Sequence, residues 1–247
     1  MAASATARAI LRWDDGRVEA VLFDMDGTLV ETEQHWGTAL HEFARRLGGR
    51  LSDEARAATV GTSMRTSMTL LHDDLGLEVT DDQLLVAARW VEGRAAELLA
   101  GEIIWRPGAR ELLEDVRSAA LPTALVTTTP RPVAELVLRR IDEAFPDLPP
   151  FDVTVCGDEV PARKPDPAPY RQAMGELGVD PARCVVVEDS LVGVTAGLAA
   201  GAAVLGVPSL QALEPAPGLV LRDTLAGVGV AELADVLAAR DGASLPA

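Results

Sequence analysis

Two periodicities divide the chain. Short apolar runs at 21–23, 123–126, 153–156, 184–187, 203–207 and 219–221 predict strands. Between the later runs lie segments whose apolar residues recur at helical spacing: 107–119 with Pro107 at its start, 132–144, a helix begun by Asp166 and Pro167 and ended by Gly178, a helix capped by Ser190, and 230–240. Strand and helix in alternation predict an α/β fold, a parallel sheet covered on both faces. The stretch 32–104 breaks that rhythm. Trp36, Leu40, Phe43 and Leu47 mark a helix ended by Gly48 and Gly49; others follow Ser52 and Ser63, and Thr80 with Gln83 forms a capping box for a long helix ending near Gly101. The prediction is a helical insert at 32–104 between two parts of one core, 1–31 and 105–247, with 1–17 a polar extension before the first strand.

Polar residues punctuate the ends of these strands. VLF at 21–23 runs into Asp24 and Asp26, which the period-two geometry of an extended chain sends to the same side, and Gly27 permits a sharp turn. Like charges held this close repel by several kcal/mol unless a cation lies between them. The second strand ends in Thr127, Thr128 and Thr129, the fourth in Glu188 and Asp189, and Lys164 precedes the helix after the third. A strand-end threonine is ordinarily a cap and a lone lysine ordinarily solvated. Four such sites at one sheet edge, where open α/β sheets bind ligands, point to a single site.

Composition narrows the chemistry. The net charge of −16 in 247 residues excludes nucleic acid or anionic membrane held through a basic face. The uncharged stretch 191–213 is long enough to span a bilayer, but Gly193, Gly197, Gly201, Gly206 and Pro208 within it predict a helix, turn and strand instead, the glycines four apart packing one helix face against the sheet. Cys156 and Cys184 lie on apolar runs with no disulfide or zinc spacing, so reduced, partly buried thiols are expected. His35, His41 and His72 show no metal-ligand pattern and are expected as solvated helix positions. No signal-peptide core precedes the first strand, and the cytoplasm is the expected compartment.

Asp24, ionised at neutral pH, can attack an electrophile without a base to activate it. A phosphate monoester is a dianion, so that attack needs a hard cation, and the oxygens of Asp24 and Asp189 suit magnesium. Lys164 would neutralise nucleophile and phosphate together. Thr127 and neighbouring backbone N–H groups, with Gly27 and Thr128 beside them, would hold the phosphoryl oxygens. Asp26 remains to protonate the leaving oxygen and then to accept a proton from water.

DMDGT at 24–28, LVTTT with Thr127, RKPDP with Lys164 and VVVEDS with Glu188 and Asp189 resemble, in order, the four motifs of the haloacid dehalogenase superfamily. The resemblance covers 18–240. An insert between the first and second motifs is similar to the small α-helical cap of the phosphoglycolate phosphatase and β-phosphoglucomutase group. It implies a Rossmann-like parallel core, Asp24 as nucleophile, Asp26 as acid and base, Thr127 and Lys164 as phosphate-binding groups, and Mg2+ on the Asp24 carboxylate, the Asp26 carbonyl and Asp189, with Glu188 close by.

The chain departs from the pattern at two places. Trp36 stands where mutase-like members carry a histidine, and His35, one position early, points about 100° away on a helix. The cap segment GTSMRTS has Met64 where an arginine is expected, the arginine being displaced to Arg65; Arg89, on the long cap helix, is a second candidate to face the substrate phosphate. A phosphatase of a small phosphorylated metabolite is the favoured function. A sugar phosphomutase and a non-catalytic phosphometabolite sensor are the alternatives, and oligomeric state is open.

Overall fold

A computed structural model describes residues 17–242; the extension expected at 1–17 lies almost wholly outside them. Strand β1 (Ala20–Phe23) leads into four helices, α1 (Glu33–Arg46), α2 (Asp53–Ala58), α3 (Met64–Asp74) and α4 (Asp81–Leu99). The chain then alternates through α5 (Ala109–Ser118), β2 (Thr123–Val126), α6 (Arg131–Glu143), β3 (Val153–Val155), α7 (Ala168–Leu177), β4 (Cys184–Glu188), α8 (Leu191–Ala200), β5 (Ala203–Gly206), β6 (Leu219–Leu221) and α9 (Val230–Gly242). The helix expected from Pro107 begins two residues later, at Ala109.

The six strands form one sheet in the order β3-β2-β1-β4-β5-β6, and every pairing is parallel. The order reverses beside β1, which places the topological switch point between β1 and β4, where such sheets open a crevice at their carboxyl ends. All residues of β1, β2, β4 and β5 are buried, as a sheet covered on both faces requires. β3, at one edge, buries only Val155 fully.

Helices α1 to α4 form the cap. The two linkers joining it to the core run side by side: Glu31 N donates to Ile104 O at 2.7 Å, Arg106 N to Leu29 O at 2.9 Å, and Arg106 pairs with Glu31 at 2.9 Å. The capping box at Thr80 and Gln83 is formed. His72, expected in solvent, is buried, its Nδ1 2.7 Å from Met68 O and its ring 6.2 Å from that of Phe43 on α1. Both cysteines are free and buried, and burial pushes each thiol up to about 12.

The uncharged stretch resolves into α8, a turn and β5, and no helix among the described residues is long and apolar enough to cross a membrane. Its glycines do separate work. Gly197 sits where a Cβ would come within 3.1 Å of Val186 and Val204, close helix-on-sheet packing. A Cβ on Gly193 would lie 1.8 Å from a Glu188 carboxylate oxygen. Gly201, expected on the packed face, instead ends α8 in the left-handed conformation.

Candidate active site

Asp24 prolongs β1, its N–H donating to Val187 O at 3.0 Å, so the carboxylate emerges at the switch point beside the end of β4. Lys164 reaches it from the loop before α7 and is almost fully enclosed. The ammonium's three protons are all used: on Asp24 Oδ1 at 2.7 Å, Glu188 Oε1 at 2.6 Å and Val126 O at 2.8 Å. Burial by itself would lower the lysine's proton affinity, but the charges of Asp24 and Glu188 outweigh it and hold the ammonium above its ordinary value.

Glu188 is saturated. Oε1 also accepts from Tyr170 OH at 2.7 Å, and Oε2 accepts from the backbone N–H groups of Asp189 and Ser190 and from Ser190 Oγ, at 3.1, 3.3 and 3.1 Å. With every lone-pair direction engaged, its evident task is to fix Lys164. Gly193 is a glycine because this carboxylate lies against the first turn of α8.

Asp24, Glu188 and Asp189 bring carboxylate oxygens within 4.8 Å of one another. One ammonium does not balance three buried acids. Burial pushes the Asp24 carboxyl up to about 8, Lys164 opposing and Glu188 and Asp26 adding to the rise. Asp189 is held well above the usual carboxylate range, first by burial and then by the charges of Asp24 and Glu188. A set of hard oxygen donors short of positive charge fits a divalent cation. The Asp26 carbonyl is left without a backbone donor among the described residues: the turn pairs Gly27 N with Val30 O, and Leu29 and Val30 N–H with Met25 O.

The Asp26 carboxylate turns to other partners. Oδ1 accepts from Thr32 Oγ1 at 2.5 Å and Trp36 Nε1 at 3.1 Å; Oδ2 accepts from Thr129 Oγ1 at 2.8 Å and Thr127 Oγ1 at 3.2 Å. Two donors belong to the core and two to the hinge and first helix of the cap. Thr127, expected on a phosphoryl oxygen, here donates to Asp26.

Beside Asp26 lies a cavity of about 50 Å³ between cap and core, whose lining includes Glu33, Trp36, Arg56, Met64, Ser67 and Thr128. Thr128 Oγ1 crosses to the cap at Gly61 O, 3.4 Å away. Arg65 and Arg89 do not line this cavity. Arg65 pairs with Asp81 at 2.6 Å with half its side chain in solvent, and Arg89 is exposed on α4. The cap's cation at the site is Arg56, buried and joined to the Glu33 carboxylate, the Glu33 carbonyl at 2.8 Å and Thr59 Oγ1 at 3.0 Å. Sequence reasoning passed over both members of this pair. The one signal was a Glu one helical turn ahead of Gly37, whose missing side chain leaves room for the guanidinium, a Cβ there falling 3.0 Å from Arg56 Nε.

A model of the haloacid dehalogenase-like hydrolases matches residues 18–201. The chain belongs to this family. It is 36% identical over 192 residues to protein CbbY of Cereibacter sphaeroides, covering 74% of this chain and 81% of that protein. It is 35% identical over 185 residues to a phosphorylated carbohydrates phosphatase of Thermotoga maritima, covering 74% and 82%. The crystal structure of CbbY from Rhodobacter sphaeroides in complex with phosphate superposes with a TM-score of 0.75 at 32% identity, over 87% of this chain and 99% of that one. The Asp24, Lys164 and Asp189 cluster thus stands in a haloacid dehalogenase-like hydrolase whose relatives include named phosphatases.

Proposed function

We propose that the protein is a magnesium-dependent phosphomonoesterase of a small phosphorylated carbohydrate, working through an aspartyl phosphate on Asp24. The observation that carries the reading is the division of labour between the two aspartates. Asp24 is held by Lys164 through one oxygen, leaving the other for attack, while Asp26 is held apart by hydroxyls and an indole. Asp24 Oδ2 would bond to phosphorus as the bond to the leaving oxygen breaks, and Asp26 would deliver the proton that oxygen needs. Asp26 would then take a proton from water as the water oxygen attacks phosphorus and the bond to Asp24 breaks, releasing inorganic phosphate. Asp24, Asp189 and the Asp26 carbonyl would hold Mg2+, which when bound supplies the positive charge that three acids and a dianionic substrate lack.

The polar lining supports a carbohydrate as the substrate class. Glu33, Ser67, Thr62 and Thr128 offer carboxylate and hydroxyl groups to ligand hydroxyls, and the Thermotoga relative is named for phosphorylated carbohydrates. At about 50 Å³ the cavity falls far short of the roughly 300 Å³ at the lower end of small-molecule sites. The cap must therefore swing to admit a substrate and close to exclude water.

Hydrolysis of an aryl phosphate with and without Mg2+ tests the chemistry: activity that is metal-independent, or that survives Asp24→Asn, overturns it. Release of phosphate from a panel of sugar and polyol phosphates tests the substrate class. Product analysis with β-glucose 1-phosphate and its bisphosphate distinguishes hydrolysis from transfer within the sugar.

A further inference from the structure

Among the described residues Asp189 has no cationic partner. Lys164 is spent on Asp24, Glu188 and a carbonyl, and Asp189 itself is 1% exposed. Among the described residues two hydroxyls serve its carboxylate: Thr28 Oγ1 donates to Oδ1 at 3.2 Å, and Ser209 Oγ donates to Oδ2. Thr28 belongs to the nucleophile loop. Ser209 comes from a separate element, the loop after β5, twenty residues on in the chain.

That loop is itself anchored. Gln211 Oε1 accepts from Leu191 N at the start of α8 at 3.3 Å, and Gln211 Nε2 donates to Ala57 O at the end of α2 in the cap at 2.6 Å. The space for the Ser209 contact is left by Gly27, with φ of 84°: a Cβ there would stand 2.3 Å from Asp189 Oδ2 and 3.2 Å from Ser209 Oγ. Two segments, the nucleophile loop and the loop after β5, thus converge on the Asp189 carboxylate.

We propose that Ser209 is a positioning residue for the divalent cation: its hydroxyl fixes the orientation of the Asp189 carboxylate, so that the ion meets a ligand already in place. The inference rests on the reading of Asp189 as a metal ligand. A hydroxyl can do this without competing for the ion, because it donates one proton to one lone pair of an oxygen that has others. Outer-sphere partners of this kind orient metal ligands, and their loss typically weakens metal binding roughly 10- to 100-fold.

The test is Mg2+ titration of the whole protein without substrate, followed by calorimetry or by thermal shift, on wild type, Ser209→Ala, Ser209→Thr and Asp189→Asn. Ser209→Ala should bind Mg2+ about tenfold more weakly, and Ser209→Thr, which keeps the hydroxyl, should bind close to wild type. Equal affinity in wild type and Ser209→Ala overturns the inference, as does a Ser209→Thr protein as weak as Ser209→Ala. Asp189→Asn separates the two levels. If it loses Mg2+ while Ser209→Ala does not, the role of Ser209 fails and the metal reading stands; if it binds Mg2+ as wild type does, the metal reading itself has failed.

Discussion

Trp36 Nε1 donates to Asp26 Oδ1 at 3.1 Å, linking the first helix of the cap to the aspartate assigned to proton transfer. An indole N–H can only donate, so this contact holds Asp26 as an acceptor and ties its orientation to the seating of α1. A hydrogen bond to a charged group contributes about 1.5–3 kcal/mol. Trp36→Phe, which keeps most of the apolar bulk, is therefore expected to lower kcat/KM by roughly tenfold or more. Trp36→His restores a ring N–H and should recover part of the loss. Steady-state kinetics on one sugar phosphate decides; a Phe variant with wild-type kinetics removes Trp36 from the mechanism.

Replacing Gly193 by alanine sets two effects against each other. Alanine in a helix interior is favoured over glycine by about 1 kcal/mol. Its Cβ, however, would lie 1.8 Å from Glu188 Oε1, and Glu188 is enclosed and cannot withdraw without releasing Lys164 and Tyr170. The clash should win, giving a lower Tm and little activity. Gly197→Ala, whose Cβ would come no nearer than 3.1 Å to the side chains of Val186 and Val204, should fall well short of that. Thermal unfolding of the two variants side by side makes the comparison, and equal Tm values would sink the account of Glu188 as a fixed scaffold.

The Arg56 and Glu33 pair is buried in the cap wall of the cavity. Burial raises the proton affinity of Glu33, and the Arg56 charge opposes that rise. Removing one partner of a buried pair leaves the other charge uncompensated and costs roughly 3–5 kcal/mol. Arg56→Met should accordingly destabilise more than the double variant Arg56→Met with Glu33→Gln, in which no charge is stranded. Urea denaturation of the four members of this cycle measures the coupling; additive single effects would show the pair to be incidental.

The chemistry at the strand ends was legible because each piece is local. Asp24, Asp26, Lys164, Glu188 and Asp189 each follow a recognisable strand or open a helix, and the parallel topology alone brings strand ends to one edge. What escaped depends on packing between segments far apart. Arg56 lies in a short polar helix that reads as solvated, and only its folding against α1 buries it beside Glu33. Arg65 and Arg89 have the right charge but lie on faces that helical spacing without a partner helix cannot orient. Ser209 and Tyr170 carry no motif, and Thr129 lies in one whose weight falls on Thr127; folding alone brings their hydroxyls to the site. His72 went the same way, its burial decided by the packing of α3 on its neighbours in the cap, with the Phe43 ring beside it.

Far from the site, Asp152 joins α5 to the start of β2. It accepts from Arg117 Nη1 at 2.6 Å and Thr123 N at 2.9 Å. Burial alone would raise its pKa, but the Arg117 hydrogen bond and the Thr123 N–H outweigh it, and the carboxyl sits below its ordinary value. A carboxyl depressed in the folded state binds protons less readily there than in the unfolded chain. Its contribution is then complete above the ordinary carboxylate range and is lost as pH falls through that range to the lower folded value. Asp152→Asn should lower Tm at pH 7, and the gap from wild type should close on acidification to about pH 3, near and below the ordinary aspartate pKa of about 3.9. The side chain is 42% exposed, so solvent screening keeps the effect small. A gap independent of pH would mean that Asp152 acts through its shape and not its charge.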